Sequence, residues 1–137
     1  MRRAGDLDPE QAYRLLAEDP DAVLVDVCTR AEWVYVGLPD LSALGKDVVG
    51  VEWVRYPDGA PNDAFLDELC LAGVRPERPV LFICRSGVRS GAAADAAAQA
   101  GYARTYNVSD GFEGPLDADC HRGVRGWKAA GLPWRQS

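Results

Sequence analysis

Long apolar runs are missing from this sequence, and none approaches the roughly 18 residues that a membrane-spanning helix needs. Arg2 and Arg3 lie near the N-terminus, but acidic residues and Pro9 follow them where a secretory signal would carry an apolar segment. These absences predict a cytoplasmic protein with no signal peptide and no membrane partner.

Basic residues are also in deficit. The net charge is −6 and the sequence pI is about 4.7, which disfavours nucleic acid as a partner. The charge is uneven, because residues 1–70 contain 15 acids and 6 bases, for a net of −9, whereas residues 71–137 contain 6 acids and 9 bases, for a net of +3. We therefore expect a small anion to bind to the second half of the chain.

Metal-ligating patterns are absent as well. The four cysteines stand at irregular spacings without a C-x-x-C pair, and the chain has one histidine, His121. This spacing favours neither a disulfide framework nor a structural zinc site, and we expect no metal and no cofactor. The chain then has four free thiols, and the remaining question is which of them is reactive. These thiols belong to Cys28, Cys70, Cys84 and Cys120.

Helix and strand patterns alternate along a chain of globular composition. With 137 residues, 47% of them hydrophobic, the sequence predicts one domain over residues 1–137. Asp8 as N-cap, Pro9 at the first helical position and Gln11 three residues after the cap predict a first helix, which ends at 19–20. Strands are predicted over 22–27, 49–54, 79–83 and 104–108, helices over 61–73, 90–100 and 124–130, and a loop over 34–48.

The unbroken apolar runs at 22–27 and 79–83 indicate strands that are buried on both faces. Together with the alternating order, they predict an α/β fold whose mainly parallel central sheet is flanked by helices on both faces. Ligands of such sheets bind beyond the carboxyl ends of the strands. This rule points to Asp26 and to Cys84, each followed by a loop.

The segment that begins at Cys84 carries the strongest functional signal. Residues 84–90 have the sequence C-R-S-G-V-R-S, and a predicted helix begins at their end. The N–H groups of such a loop converge at a helix N-terminus, Gly87 permits a backbone conformation that other residues resist, and Arg85 and Arg89 add positive charge. These features favour a thiolate that acts as a nucleophile. The alternative is a buried cysteine at the end of a core strand, with two solvated arginines.

The spacing between Cys84 and Arg89 bears on the chemistry. Protein tyrosine phosphatases and their relatives use C-x5-R, whereas this chain has C-x4-R. The tighter loop suits one sulfur atom carried on the cysteine better than a tetrahedral phosphoryl group. A cysteine phosphatase or arsenate reductase is therefore the less favoured alternative.

The chain resembles the rhodanese family of sulfurtransferases in three places. Residues 84–90 match the family's C-R-x-G-x-R-[ST] active loop, and residues 24–33 are similar to its D-V-R-T-x-x-E-[WF] segment. The G-F-E-G sequence at 111–114 and the glycine and tryptophan pattern at 126–134 are similar to its C-terminal end. These segments occur in the family's order and span nearly the whole chain.

The resemblance implies a rhodanese-like domain that acts as a sulfurtransferase without a cofactor. Cys84 would take a sulfane sulfur from thiosulfate or a persulfide donor and pass it to a thiol or to cyanide. The implied partners are a small anionic sulfur donor and a thiol acceptor, with a sulfur-relay protein as a further class. The substrate-binding residues expected around Cys84 are Arg85, Ser86, Gly87, Val88, Arg89, Ser90 and Asp26.

Two positions of the 24–33 segment have open interpretations. Asp26 either orients the active loop by accepting backbone hydrogen bonds or caps the turn after its own strand. Cys28 stands where the family usually has arginine, which puts a preference for thiosulfate in doubt. It is either a small half-buried replacement for that arginine or a thiol that resolves a persulfide on Cys84. The family's G-H-I sequence is also missing, and 34–48 has the character of an insertion.

A non-enzymatic rhodanese-like binding module is the remaining alternative, although such modules generally lack the cysteine that this chain keeps. Cys70 is expected to pack inertly on the apolar face of its helix, and Cys120 and His121 to form a loop pair. Four aromatic residues either belong to the core or wall the active site. They are Trp33, Trp53, Phe112 and Trp127.

Overall fold

A central sheet of parallel strands organises the chain, whose residues 3–55, 59–114 and 126–135 are described by a computed structural model. The strands are β1 (Gly5–Leu7), β2 (Val23–Asp26), β3 (Leu38–Pro39), β4 (Val49–Gly50), β5 (Pro79–Ile83), β6 (Arg104–Val108) and β7 (Trp134–Arg135). The helices are α1 (Pro9–Glu18), α2 (Arg30–Tyr35), α3 (Phe65–Leu71) and α4 (Val88–Gln99). No helix within these ranges is long and apolar enough to cross a membrane.

The central sheet has the strand order β1-β6-β5-β2-β4 and is covered on both faces. Successive side chains along β2 and β5 alternate between two core clusters, since Val25 and Phe82 lie in one and Leu24 and Leu81 in the other. The first cluster includes residues of α3 and α4, and the second includes residues of α1. The predicted α/β fold, with helices on both faces of a mainly parallel sheet, is confirmed.

Local hydrogen bonds form α1 as predicted. Gln11 N donates to Asp8 Oδ1 at 2.8 Å, and Asp8 N donates to Gln11 Oε1 at 3.0 Å. Pro9 occupies the start of the helix, and Ala12 and Leu16 are fully buried. The cap and the buried stripe together determine where this helix begins and which face it packs.

Small side chains bring α4 close to the sheet. Ala93, Ala94 and Ala97 are fully buried and belong to the same core cluster as Phe82 of β5. The helix begins at Val88, two residues before the predicted start. Its N-terminus therefore lies next to the carboxyl end of β5, where the candidate site is.

The helix predicted over 61–73 is shorter in the structure. Asn62 Oδ1 accepts a hydrogen bond from Ala64 N at 3.1 Å, which holds the chain in a turn, and α3 begins only at Phe65. Cys70 is exposed on this helix, so the expectation that it packs in the core is wrong.

The strand predicted over 49–54 ends at Gly50. Val51 N still donates to Asp26 O at 3.1 Å. Trp53 N also donates to Val27 O at 3.2 Å, so single backbone hydrogen bonds continue beyond the regular strand. The regular strand itself is short because β2 ends at Asp26.

The helix predicted over 124–130 is wrong in its described part. Residues 126–130 form turns, with a hydrogen bond from Ala130 N to Gly126 O at 3.0 Å, and residues 124 and 125 lie outside the described residues. Trp127 Nε1 donates to Pro133 O at 2.7 Å, so the buried indole holds the chain in this compact turn before β7. The predicted loop pair of Cys120 and His121 also lies outside the described residues.

The segment 34–48 is more regular than the predicted loop. It contains the end of α2, the strand β3, which pairs antiparallel with β7, and a 3-10 turn at Ser42–Leu44.

A second capping box starts α2, since Glu32 N donates to Thr29 Oγ1 at 3.3 Å and Thr29 N donates to Glu32 Oε1 at 3.0 Å. The T-x-x-E spacing is a local signal from which this helix could have been predicted.

Candidate active site

The sulfur of Cys84 lies where β5 ends and α4 begins. Gly87 N donates a hydrogen bond to Cys84 Sγ at 3.1 Å, and Ser90 N donates one at 3.4 Å. The positive end of α4, a helix of 12 residues, faces the same atom. The two amides and the helix end stabilise negative charge on this sulfur.

Gly87 makes this arrangement possible. Its φ is 99°, a left-handed conformation that residues with a Cβ atom resist. This residue is the N-cap of α4, and the turn that it forms directs its N–H back to Cys84 Sγ. The active loop needs a glycine at this position because the turn requires a positive φ.

The hydroxyl of Ser90 connects the sulfur to β6. Ser90 Oγ lies 3.2 Å from Cys84 Sγ and donates to Asn107 Oδ1 at 2.6 Å. Ser90 and Asn107 are buried, so the sulfur has polar partners on its buried side. Asn107 is a site residue that sequence reasoning missed. The sequence feature that could have indicated it is its place as a polar residue near the carboxyl end of the strand predicted over 104–108.

Cys84 itself is 1% exposed. Arg85, Ser86 and Gly87 are half-buried, whereas Val88 is 77% exposed. The sulfur is therefore almost fully enclosed by its own loop.

Arg89 is held by a carboxylate from another part of the chain. Its Nη1 donates to Glu32 Oε1 at 2.7 Å and its Nη2 donates to Glu32 Oε2 at 2.9 Å. These hydrogen bonds raise the pKa of Arg89, although burial opposes the change. Burial acts to raise the pKa of Glu32, but the bonds from Arg89 and Thr29 outweigh it, so that pKa is lowered. The loop is thereby tied to the start of α2.

Arg85 is held in the same way by Glu113. Arg85 Nε donates to Glu113 Oε1 at 2.8 Å, and the carbonyl of Arg85 accepts a hydrogen bond from Glu113 N at 3.0 Å. Phe112 N donates to Cys84 O at 2.7 Å, and a Cβ on Gly111 would lie 2.5 Å from that same oxygen. The G-F-E-G segment therefore holds the backbone of the loop through hydrogen bonds. The close approach to Cys84 O explains why Gly111 has no side chain.

The charges around Cys84 balance one another. Both loop arginines bind carboxylates of the chain, and Lys128 Nζ lies 3.8 Å from Glu113 Oε2 and 4.0 Å from the ring centroid of Trp134. The sequence predicts Arg85 and Arg89 as substrate-binding residues whose positive charge faces the donor. In the structure their first partners are Glu113 and Glu32.

Asp26 and Cys28 are buried beside this network. Asp26 Oδ1 accepts a hydrogen bond from Cys28 N at 2.9 Å, which supports the interpretation that Asp26 caps the turn after its own strand. Burial raises the pKa of Asp26 to about 6, although the bond from Cys28 opposes it. Burial, and then the neighbouring Asp26, raise the pKa of the Cys28 thiol well above its usual range. Cys28 is 3% exposed, more deeply buried than the half-buried replacement that the sequence suggested.

A pocket of about 360 Å³ lies on the outer side of the loop. Arg85 of the loop and Glu32 of α2 are among its lining residues, so the pocket lies beside the active loop. The remaining lining comes from α2 and the residues around it, and from three residues that follow β4, namely Val54, Arg55 and Gly59. The lining residues are Thr29, Ala31, Glu32, Tyr35, Val36, Val54, Arg55, Gly59 and Arg85.

The four aromatic residues singled out in the sequence are packing residues. Phe112 and Trp127 are buried in the second core cluster, and Trp53 packs edge-on against Phe65 with ring centroids 4.9 Å apart. Trp33 packs against the first cluster. None of the four is among the described residues that line the pocket.

Comparisons with known proteins give consistent results. Residues 5–137 match the family described as the STR4 middle domain. The crystal structure of Rv0390 from M. tuberculosis has a TM-score of 0.90 to this chain at 57% identity, and covers 98% of this chain and 99% of its own. The chain is 32% identical to rhodanese-like domain-containing protein 4 of Arabidopsis thaliana, over 91% of this chain and 24% of that protein. It is 29% identical to the thiosulfate sulfurtransferase GlpE of Actinobacillus pleuropneumoniae, over 93% of this chain and 90% of that protein.

Proposed function

The chain belongs to the rhodanese-like family, and from this premise we propose that it is a sulfurtransferase that carries a sulfane sulfur on Cys84. The observation that carries the proposal is the position of Cys84 Sγ, which accepts hydrogen bonds from Gly87 N at 3.1 Å and Ser90 N at 3.4 Å at the start of α4. A site of this kind stabilises the anionic sulfur that must attack a donor. The likeness to GlpE, which is described as a thiosulfate sulfurtransferase, supports the same reaction class.

The proposed reaction has two displacement steps. In the first, the Cys84 thiolate attacks the outer sulfur of the donor, a new S–S bond forms, and the donor's own S–S bond breaks. The leaving group takes that electron pair, as sulfite from thiosulfate or as a thiolate from a persulfide. In the second, a thiolate acceptor attacks the outer sulfur of the Cys84 persulfide, and the Cys84 thiolate leaves.

The loop residues have distinct roles in this scheme. Gly87 and Ser90 hold the sulfur through their N–H groups, and the Ser90 hydroxyl supplies a third hydrogen bond when it turns from Asn107 to Cys84 Sγ. Arg85 and Arg89 hold the loop in shape through their ion pairs. We assign Ser86 and Val88 no contact with the sulfur.

Two observations disfavour a cysteine phosphatase. The loop has one residue fewer than C-x5-R. In addition, both terminal nitrogens of Arg89 are bound to Glu32, at 2.7 and 2.9 Å, where a phosphatase would turn its arginine toward a phosphoryl group.

The test is sulfur loading measured by mass spectrometry. Wild-type protein incubated with a sulfane donor should gain one sulfur atom on the peptide that contains Cys84, and Cys84→Ala should gain none there. Cys70→Ala removes an exposed thiol of α3, outside the active loop. It is the matched control and should load as wild type does. Failure to load with thiosulfate, thiosulfonates and persulfides would favour a binding module, and turnover of an aryl phosphate would favour a phosphatase.

A further inference from the structure

The pocket beside the active loop has the size of a site for an organic molecule. Its volume is about 360 Å³, within the range of about 300–1,000 Å³ that is usual for clefts that bind organic ligands. An inorganic anion such as thiosulfate would occupy only a small part of it. The pocket therefore has room for more of a substrate than the sulfur that reacts.

The lining of this pocket is mixed in a way that suits an organic group. Ala31, Tyr35, Val36 and Val54 provide apolar walls, and Tyr35 is 80% exposed at the rim. Apolar walls with a few polar groups are typical of sites for small organic ligands. An aromatic or aliphatic group placed here would lose contact with water and gain contact with these side chains.

Among the described residues that line the pocket, two are cations, and both are already bound to carboxylates. Arg85 Nη2 lies 2.7 Å from Glu113 Oε1. Arg55 Nη1 lies 2.9 Å from Glu52 Oε1. A dianionic donor would have to compete with these carboxylates, so it gains little from the charge of the pocket.

The pocket adjoins the active loop. Arg85, which lines it, directly follows Cys84. Glu32, which also lines it, binds Arg89 of the same loop at 2.7 Å. A donor whose organic group fills the pocket would present its sulfur at the entrance to the loop.

We propose that this pocket binds the organic group of the sulfur donor. The preferred donors are then thiosulfonates and organic persulfides with one negative charge, in preference to inorganic thiosulfate. This inference rests on the proposed function, since it concerns the first displacement at Cys84. With a thiosulfonate, the Cys84 thiolate attacks the outer sulfur, the bond between that sulfur and the sulfonyl sulfur breaks, and the sulfinate leaves with the electron pair.

Three donors separate the effects of charge and of the organic group. Thiosulfate is a dianion without an organic group, methanethiosulfonate is a monoanion with a methyl group, and benzenethiosulfonate is a monoanion with an aromatic ring. The rate constant of Cys84 loading is measured for each and divided by the rate constant of the same donor with free cysteine, which removes differences in intrinsic reactivity. We expect this ratio to rise in the order given, by about tenfold from the methyl to the phenyl donor.

Ala31→Phe tests the pocket itself. The added ring should fill the space and lower the ratio for benzenethiosulfonate about tenfold, with little effect on thiosulfate. Val34→Phe adds the same ring to the same helix at a position that is 45% exposed and does not line the pocket, and it should behave as wild type. Tyr35→Ser, at a residue that is 80% exposed, removes part of the apolar wall and should lower the benzenethiosulfonate ratio alone.

The outcomes distinguish this inference from the proposed function. If no donor adds sulfur to Cys84, the proposed function fails and the inference falls with it. If thiosulfate loads Cys84 with the highest ratio, or if Ala31→Phe and Tyr35→Ser affect all three donors equally, the sulfurtransferase assignment stands and the pocket assignment is overturned.

Discussion

Arg89 and Glu32 form a two-point ion pair, with Nη1 to Oε1 at 2.7 Å and Nη2 to Oε2 at 2.9 Å, although they are 57 positions apart in the chain. Glu32 also accepts hydrogen bonds from the N–H and the hydroxyl of Thr29. One carboxylate therefore caps α2 and holds the active loop at the start of α4. The loop keeps its shape because two helices from different parts of the chain share this group.

Glu32→Gln should destabilise the protein by about 1–3 kcal/mol, because the half-buried Arg89 loses its charge partner. Equilibrium urea unfolding measures the change. Glu18→Gln at the exposed end of α1 is the matched control and should alter the free energy of unfolding by less than about 0.5 kcal/mol. Equal stability of Glu32→Gln and wild type would show that the pair contributes nothing to the fold.

Gly87→Ala should slow sulfur loading of Cys84 at least tenfold, because a residue with a Cβ atom resists the φ of 99° that directs the amide to the sulfur. Gly73→Ala is a matched control, since Gly73 has a φ of 83° and open space around its Cβ position. Both variants should lose about 1 kcal/mol of stability from backbone strain. Only Gly87→Ala should lose loading, and a similar loss in both would assign the effect to stability.

Asp26→Asn should stabilise the protein above pH 6. Burial raises the pKa of Asp26 to about 6 from an ordinary value near 3.8, so the folded state binds more protons than the unfolded state between these values. The contribution of Asp26 to stability therefore falls as the pH rises from about 4 to about 6, by roughly 3 kcal/mol at most. The difference in unfolding free energy between Asp26→Asn and wild type should grow over this range and then level off. A difference that stays constant from pH 4 to pH 7 would contradict the assignment.

Cys28→Ala should leave the transfer of sulfur to a thiol acceptor unchanged. The Cys28 thiol is 3% exposed and its pKa is raised by burial, so it is protonated and poorly placed to attack a persulfide on Cys84. Steady-state turnover with a thiosulfonate donor and a small thiol measures the rate. A loss of turnover with normal loading of Cys84 would instead support the resolving role.

Local patterns predicted a large part of the fold. The capping box of Asp8 and Gln11 and the apolar runs of β2 and β5 depend on neighbouring residues, and each is present where expected. Prediction failed where a side chain bonded to the backbone holds a turn in place of a helix, as Asn62 does before α3. Trp127 is held by Pro133, so no helix forms over the described part of 124–130.

The sequence by itself determined the active loop, because its cysteine, glycine, arginines and serines lie within 84–90 and their chemistry depends on a short turn. Only the tertiary structure decided what those arginines do. The pairing of Arg89 with Glu32 and of Arg85 with Glu113 follows from which strands and helices become neighbours. Strand order and side-chain direction bring together residues that are dozens of positions apart, and a local pattern contains no information about such pairs.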